Sequence, residues 1–118
     1  AGGAIGRSPW WAYGDPYLAG SINEFRIYSG RLLADEIAAA AIVGPDTVLT
    51  TSVSLSAARS GGSLTLSWPV AAPGFTLESS PVLGAGAVWT PVADSIVGTD
   101  HQAVVPASAA SSFYRLRR

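Results

Sequence analysis

The residues of this chain best suited to chemistry are aromatic. Trp10, Trp11, Tyr13 and Tyr17 place four rings within eight residues, interspersed with Pro9, Gly14, Asp15 and Pro16. Such punctuation makes a loop. Sugar rings present apolar C–H faces that pack flat against indole and phenol rings, while the polar tips of Trp and Tyr stay wet. Adjacent Trp10 and Trp11 cannot both point inward from an extended chain, so one of them is expected to be exposed. The competing reading has one or two of these rings filling a core. Trp89 is a second candidate platform, because Thr90-Pro91 follows it and proline favours a sheet edge. Trp68, on a strictly alternating segment, reads as core. The candidate ligand-binding set is therefore Trp10, Trp11, Tyr13, Tyr17 and Trp89.

Other chemistries find less to work with. His101, the single histidine, stands beside Asp100 after Gly98-Thr99 and reads as a solvated pair in a turn. A general base needs a positioned partner and a pocket. There is no cysteine to act as nucleophile or thiolate ligand, and no Gly-x-Ser-x-Gly elbow or phosphate-cradling glycine loop. Asp35 and Glu36 are paired only in sequence, since adjacent helical residues diverge by about 100°. Asp15, Asp46, Asp94 and Asp100 are scattered turn formers without calcium-loop spacing. Arg115, Arg117 and Arg118 read as a solvated strand edge rather than a phosphate site. No catalytic residue, metal or cofactor is expected, and the chain does not read as an enzyme.

Composition agrees with a folding chain. At 118 residues, 48% hydrophobic and 13% charged, it suits one ordinary domain or two very small pieces. A net charge of −1 offers no basic surplus for nucleic acid or anionic lipid. Lysine and methionine are absent and alanine abounds, the habit of a GC-rich bacterial genome. The opening Ala1 suggests a processed chain or an excised fragment. No signal peptide is visible, and the apolar run Ile37 to Val43 is too short to cross a bilayer, so membrane insertion is not expected.

The elements that must position these residues follow from periodicity. A strand is expected near Ala4–Ser8 and another near Ser21–Ser29, where Phe25 and Ile27 alternate with Glu24, Arg26 and Tyr28. Asp35 and Glu36 open a short helix spanning about Leu33 to Val43, stopped by Gly44-Pro45. Too short to stand alone, it is expected to dock through Leu33, Ile37 and Ala41. From Thr47 the pattern becomes short β-like runs. Val48, Val53 and Leu55 suggest a strand to about Ser56, and Ser60-Gly61-Gly62-Ser63 a turn. Leu64–Trp68, Phe75–Ser79, Val88–Thr90, Gln102–Val105 and Phe113–Arg117 supply the rest. Leu64, Leu66, Trp68, Leu77, Tyr114 and Leu116 are the expected core.

Two stretches carry family resemblances. Gly20, Ile22-Asn23-Glu24-Phe25-Arg26-Ile27-Tyr28 and the following helix resemble the closing strand and tail helix of laminin-G-like (concanavalin-A-like) jelly rolls, with Ile5-Gly6-Arg7-Ser8 ending the preceding strand. That family often has an acid at the Asn23 position and a helix-capping serine where Leu33 stands. Leu64-x-Leu66-x-Trp68-Pro69, Phe75-x-Leu77, Trp89 and Phe113-Tyr114-Arg115-Leu116-Arg117 resemble small fibronectin-III-like modules at the C-terminus of large secreted bacterial proteins. A full module of that kind has one more strand after Arg117.

The resulting expectation is an all-β protein, an antiparallel fibronectin/immunoglobulin-like sandwich with one short α-helix near 33–43. Residues 1–46 would be the partial laminin-G-like piece and residues 47–118 the sandwich lacking a last strand. Residues 3–8 or 20–29 would cover the open edge, in the same chain or from a neighbour. The resemblances imply a secreted or cell-surface location. Together with the aromatic loop they imply a non-catalytic carbohydrate-binding or adhesion module whose partner is a polysaccharide or surface glycan, as in the accessory parts of polysaccharide-degrading enzymes. The alternative is a surface-display, sorting or filament-forming module that self-associates by strand addition.

Overall fold

A computed structural model of the chain describes residues 11–14, 20–108 and 111–118. The described residues form a mostly β protein with one α-helix, as the alternation from Thr47 onward requires. The strands are β1 (Ser56–Ser60), β2 (Ser63–Pro69), β3 (Thr76–Ser80), β4 (Thr90–Pro91), β5 (Ser95–Val97), β6 (Asp100–Pro106) and β7 (Phe113–Arg117). They make two antiparallel sheets, one ordered β1-β2-β6-β5 and the other β4-β3-β7. The first has the strand order of one sheet of an immunoglobulin-type sandwich. The second has no strand beyond β7 among the described residues.

Two glycines set the hairpins. Ser60 faces Ser63 across Gly61-Gly62, and Val97 faces Asp100 across Gly98-Thr99. Gly61 and Gly98 have φ of 58° and 63°, the left-handed value that the first position of a tight two-residue turn needs. With the register fixed, Leu64, Leu66 and Trp68 stand opposite Val105, Ala103 and His101 on one face. Leu66, Trp68 and Ala103 meet Leu77 of the other sheet in a buried cluster, flanked by Leu64, Val105, Phe75, Val92, Tyr114 and Leu116. Of the six residues expected in the core, Leu66, Trp68 and Leu77 are buried in this cluster, and Leu64, Tyr114 and Leu116 pack against it partly buried.

Three placements differ from expectation. The first sandwich strand lies at Ser56–Ser60, not before Ser56. Val53 and Leu55 do reach the core, but as coil, while β1 is exposed throughout and owes its conformation to pairing with β2. Residues 21–29 form no strand. They alternate correctly, yet among the described residues no neighbouring strand meets them, and Ile27 is 85% exposed. Arg26 instead bonds Glu24 and the carbonyl of Pro45 just past the helix. Consequently residues 20–29 do not cover the edge of β7 within the same chain. The expected strand near Ala4–Ser8 lies outside the described residues.

The third difference concerns the helix, α1 (Ala34–Val43). Its start is held by the Leu33 N–H donating to the Glu36 carboxylate at 2.8 Å, with no capping side chain at Leu33 itself. Its end is held by the Gly44 N–H donating to the Ala40 carbonyl at 3.1 Å, with Gly44 at φ 79°. Ala39 is the helix residue that is buried, and with Asp35, Ala38 and Ile42 it borders a cavity of about 180 Å³ shared with Val70, Pro73, Gly74 and Phe75 of the β2–β3 loop. Ile37 is 56% exposed, and Leu33 and Ala41 are exposed with it. Alanines let a helix lie close to backbone, whereas a docked Ile37 would hold it away. The run Ala38–Ala41 is apolar on every face, so spacing alone does not choose among them.

Candidate functional site

The outward face of the β4-β3-β7 sheet carries the densest arrangement of polar and aromatic side chains. Register aligns Pro91, Glu78 and Arg115 in one row and Thr76 with Arg117 in the next. Leu77, Tyr114 and Leu116 point the other way, into the core. Glu78 is buried to 7% exposure, which a carboxylate tolerates only when paired. Arg115 supplies the partner, its Nε donating to Glu78 Oε2 at 2.8 Å and its Nη2 in ion-pair contact with the same oxygen at 2.8 Å. The Arg117 guanidinium lies farther away, 3.7 Å from Glu78 Oε1.

Arg115 also lies over the Trp89 indole, its guanidinium carbon 4.1 Å from the ring centroid. The ring quadrupole attracts a cation there. Glu78 fixes Arg115, and Arg115 fixes Trp89. The ring is half-buried, so a flat apolar edge sits beside oriented N–H and carboxylate groups. Thr76, Glu78, Pro91 and Arg117 then continue into an open cleft of about 400 Å³ that Gly74 and Arg118 close. Arg118 approaches Glu36 of α1 at 4.0 Å and the Phe75 ring at 5.9 Å.

The other expected site residues are scattered. Trp11 and Tyr13 belong to a short 3-10 turn, Trp11–Tyr13, and Tyr13 is 83% exposed. Trp10 and Tyr17 lie outside the described residues. Trp89 is the member of the candidate set that lies beside polar groups of a sheet face, under the Arg115 guanidinium. Arg115 and Arg117, read from the sequence as a solvated strand edge, share this face with Glu78, for which the sequence offers no role. Strand alternation does put all three outward, but only the β3–β7 register reveals that they meet.

His101 takes a different place from the turn expected for it. It lies in β6, stacked on Trp68 with centroids 5.0 Å apart and planes 7° from parallel. Its Nδ1 is 2.6 Å from Asp94 Oδ2, brought near by the β5–β6 hairpin, so its partner is Asp94 and not Asp100. The imidazole therefore covers the core tryptophan, whose Nε1 is buried without a hydrogen-bond partner among the described residues. Among the described residues no group of three or more His, Cys, Asp or Glu could hold a metal ion. No helix among them is long and apolar enough to cross a membrane. Comparison of the chain with protein-family models, curated proteins and solved structures finds no match.

Proposed function

We propose that this chain is a non-catalytic carbohydrate-binding or adhesion module of a secreted bacterial protein, and that it meets glycan on the β4-β3-β7 face. The observation that carries the reading is Trp89, half-exposed and held by an arginine that Glu78 fixes in turn. Glycan recognition uses an apolar ring for the C–H face of a sugar and rigid donors and acceptors for its hydroxyls. Both are side by side here, with little side-chain freedom left to lose on binding. The exposed Tyr13 adds a second aromatic surface near the expected Trp10–Tyr17 platform. The secreted location and the role as an accessory to a polysaccharide-degrading enzyme rest on the family resemblances.

Affinity gels loaded with cellulose derivatives, xylan, β-glucan, mannan or polygalacturonate test the reading. The native chain is expected to be retarded by at least one of them, and Trp89→Ala to run faster there with an unchanged circular dichroism spectrum. Trp10→Ala and Trp11→Ala report on the aromatic loop. If no gel retards the native chain, or all three variants keep full affinity, the reading fails.

The second reading, assembly by strand addition, is favoured by one specific observation: among the described residues β7 has a neighbour on one side only, β3. An edge of that kind accepts an extended strand. Size-exclusion chromatography over a range of concentrations distinguishes it, since an assembling module elutes earlier as concentration rises.

A further inference from the structure

We propose that the cleft beside Trp89 selects acidic polysaccharides, with Arg117 holding the carboxylate of a uronate residue. This rests on the glycan-binding reading and names the class of glycan. The three arginines near this face are not equally committed. Arg115 spends its Nε and Nη2 on Glu78 at 2.8 Å. Arg118, 4.0 Å from Glu36, is likewise beyond hydrogen-bond length, but its side chain is the less exposed of the remaining two, at 45%. Arg117 is 68% exposed along its side chain, and its 3.7 Å approach to Glu78 is beyond hydrogen-bond length.

Charge follows the same division. The Glu78 carboxylate neutralises one of the two guanidinium groups facing it, which leaves one positive charge unmatched on this face. That charge opens onto the cleft of about 400 Å³, a size within the usual range for small-ligand sites. Thr76, directly opposite Arg117 and exposed, adds a hydroxyl for a neighbouring sugar oxygen. A guanidinium is a planar fork that matches a carboxylate with two parallel N–H···O bonds. A neutral sugar offers Arg117 no charge to match, whereas a uronate ring offers a carboxylate for the cleft.

The experiment measures binding of the intact chain to polygalacturonate, to mannan and to dextran sulfate by affinity gel and by titration at low and high salt. Polygalacturonate is expected to bind tightest and to weaken as salt screens the unmatched charge. Arg117→Gln should lose about tenfold in polygalacturonate affinity, the effect of a hydrogen-bonded charge pair, and leave mannan unaffected. Arg117→Lys, which keeps the charge without the fork, should fall between. Arg59→Gln, on the exposed strand β1 of the other sheet, should change nothing. If Arg117→Gln binds polygalacturonate like the native chain, or if dextran sulfate binds as tightly, carboxylate selection is refuted. Binding to mannan alone would refute it too while leaving the glycan reading intact, and binding to no glycan would end both.

Discussion

Replacing Leu66 by alanine tests the sandwich at its centre. Leu66 is 2% exposed, faces Ala103 across β2 and β6, and meets Leu77 of the opposite sheet. The change deletes three carbons, worth roughly 2.4 kcal/mol at about 0.8 kcal/mol each. Its neighbours are poorly placed to collapse: Trp68 is pinned by its stack on His101, and Ala103 has no reach. A residual cavity of roughly 50 Å³ adds about 1.2 kcal/mol. The sum, about 3.5 kcal/mol, is a large part of what so small a sandwich has. In urea, with a slope of about 1–1.5 kcal/mol/M, the midpoint should fall by roughly 2–3.5 M, without change in slope. Tryptophan fluorescence follows the transition. Val104→Ala, the next residue along β6 but on its outward face, should stay within about 0.5 kcal/mol of the native chain. A Leu66→Ala midpoint shift under about 0.5 M, or equal losses in the two variants, would show that the assigned faces are wrong.

Two further outcomes follow from the loop and from the ion pair. Gly74 has φ 81°, and a Cβ there would lie 3.0 Å from Asp35 Oδ2, so Gly74→Ala should cost about 1–2 kcal/mol; hydrogen exchange should show faster exchange in α1, and unchanged exchange would mean that the helix does not depend on this approach. Glu78→Ala strips Arg115 of its acceptor and should cost about 1.5–3 kcal/mol, nearer the lower figure because Arg115 is partly solvated. A double-mutant cycle with Arg115→Ala should give a coupling of about 0.5–3 kcal/mol, and zero coupling would contradict the pairing.

Much of the sandwich is legible in the sequence, for reasons that also explain what is not. β2 alternates strictly and β7 alternates from Tyr114 onward, and Gly61-Gly62 favours a turn, so these elements follow from local pattern. β1 carries Ser-Ala-Ala-Arg-Ser, which has no apolar period; its strand character comes from β2 alone. β5 is three exposed residues and leaves too short a signal to read. Residues 21–29 show the opposite failure, a good strand pattern without a partner strand among the described residues, because alternation specifies a face and not a neighbour. The aromatic half of the candidate site is visible as Trp89. Its polar half is not, since Glu78 and Arg115 lie 37 positions apart and meet only through sheet register.

The strand order has a consequence for how this chain reaches its fold. β2 pairs with β6 in one sheet, and β3 pairs with β7 in the other. Each of these pairs spans one member of the other along the chain, so the two sheets are threaded through each other in sequence. The β1–β2 and β5–β6 hairpins, and β3 with β4 across the loop 81–89, can close from local contacts. Everything else waits for two long-range closures that each lose loop entropy before any burial compensates. A break in the loop between β3 and β4 would leave β2 and β3 on one fragment, with their partners β6 and β7 on the other. Neither fragment owns a complete sheet. The sandwich is therefore a single cooperative unit, which forms late and at once and has no half that stands by itself.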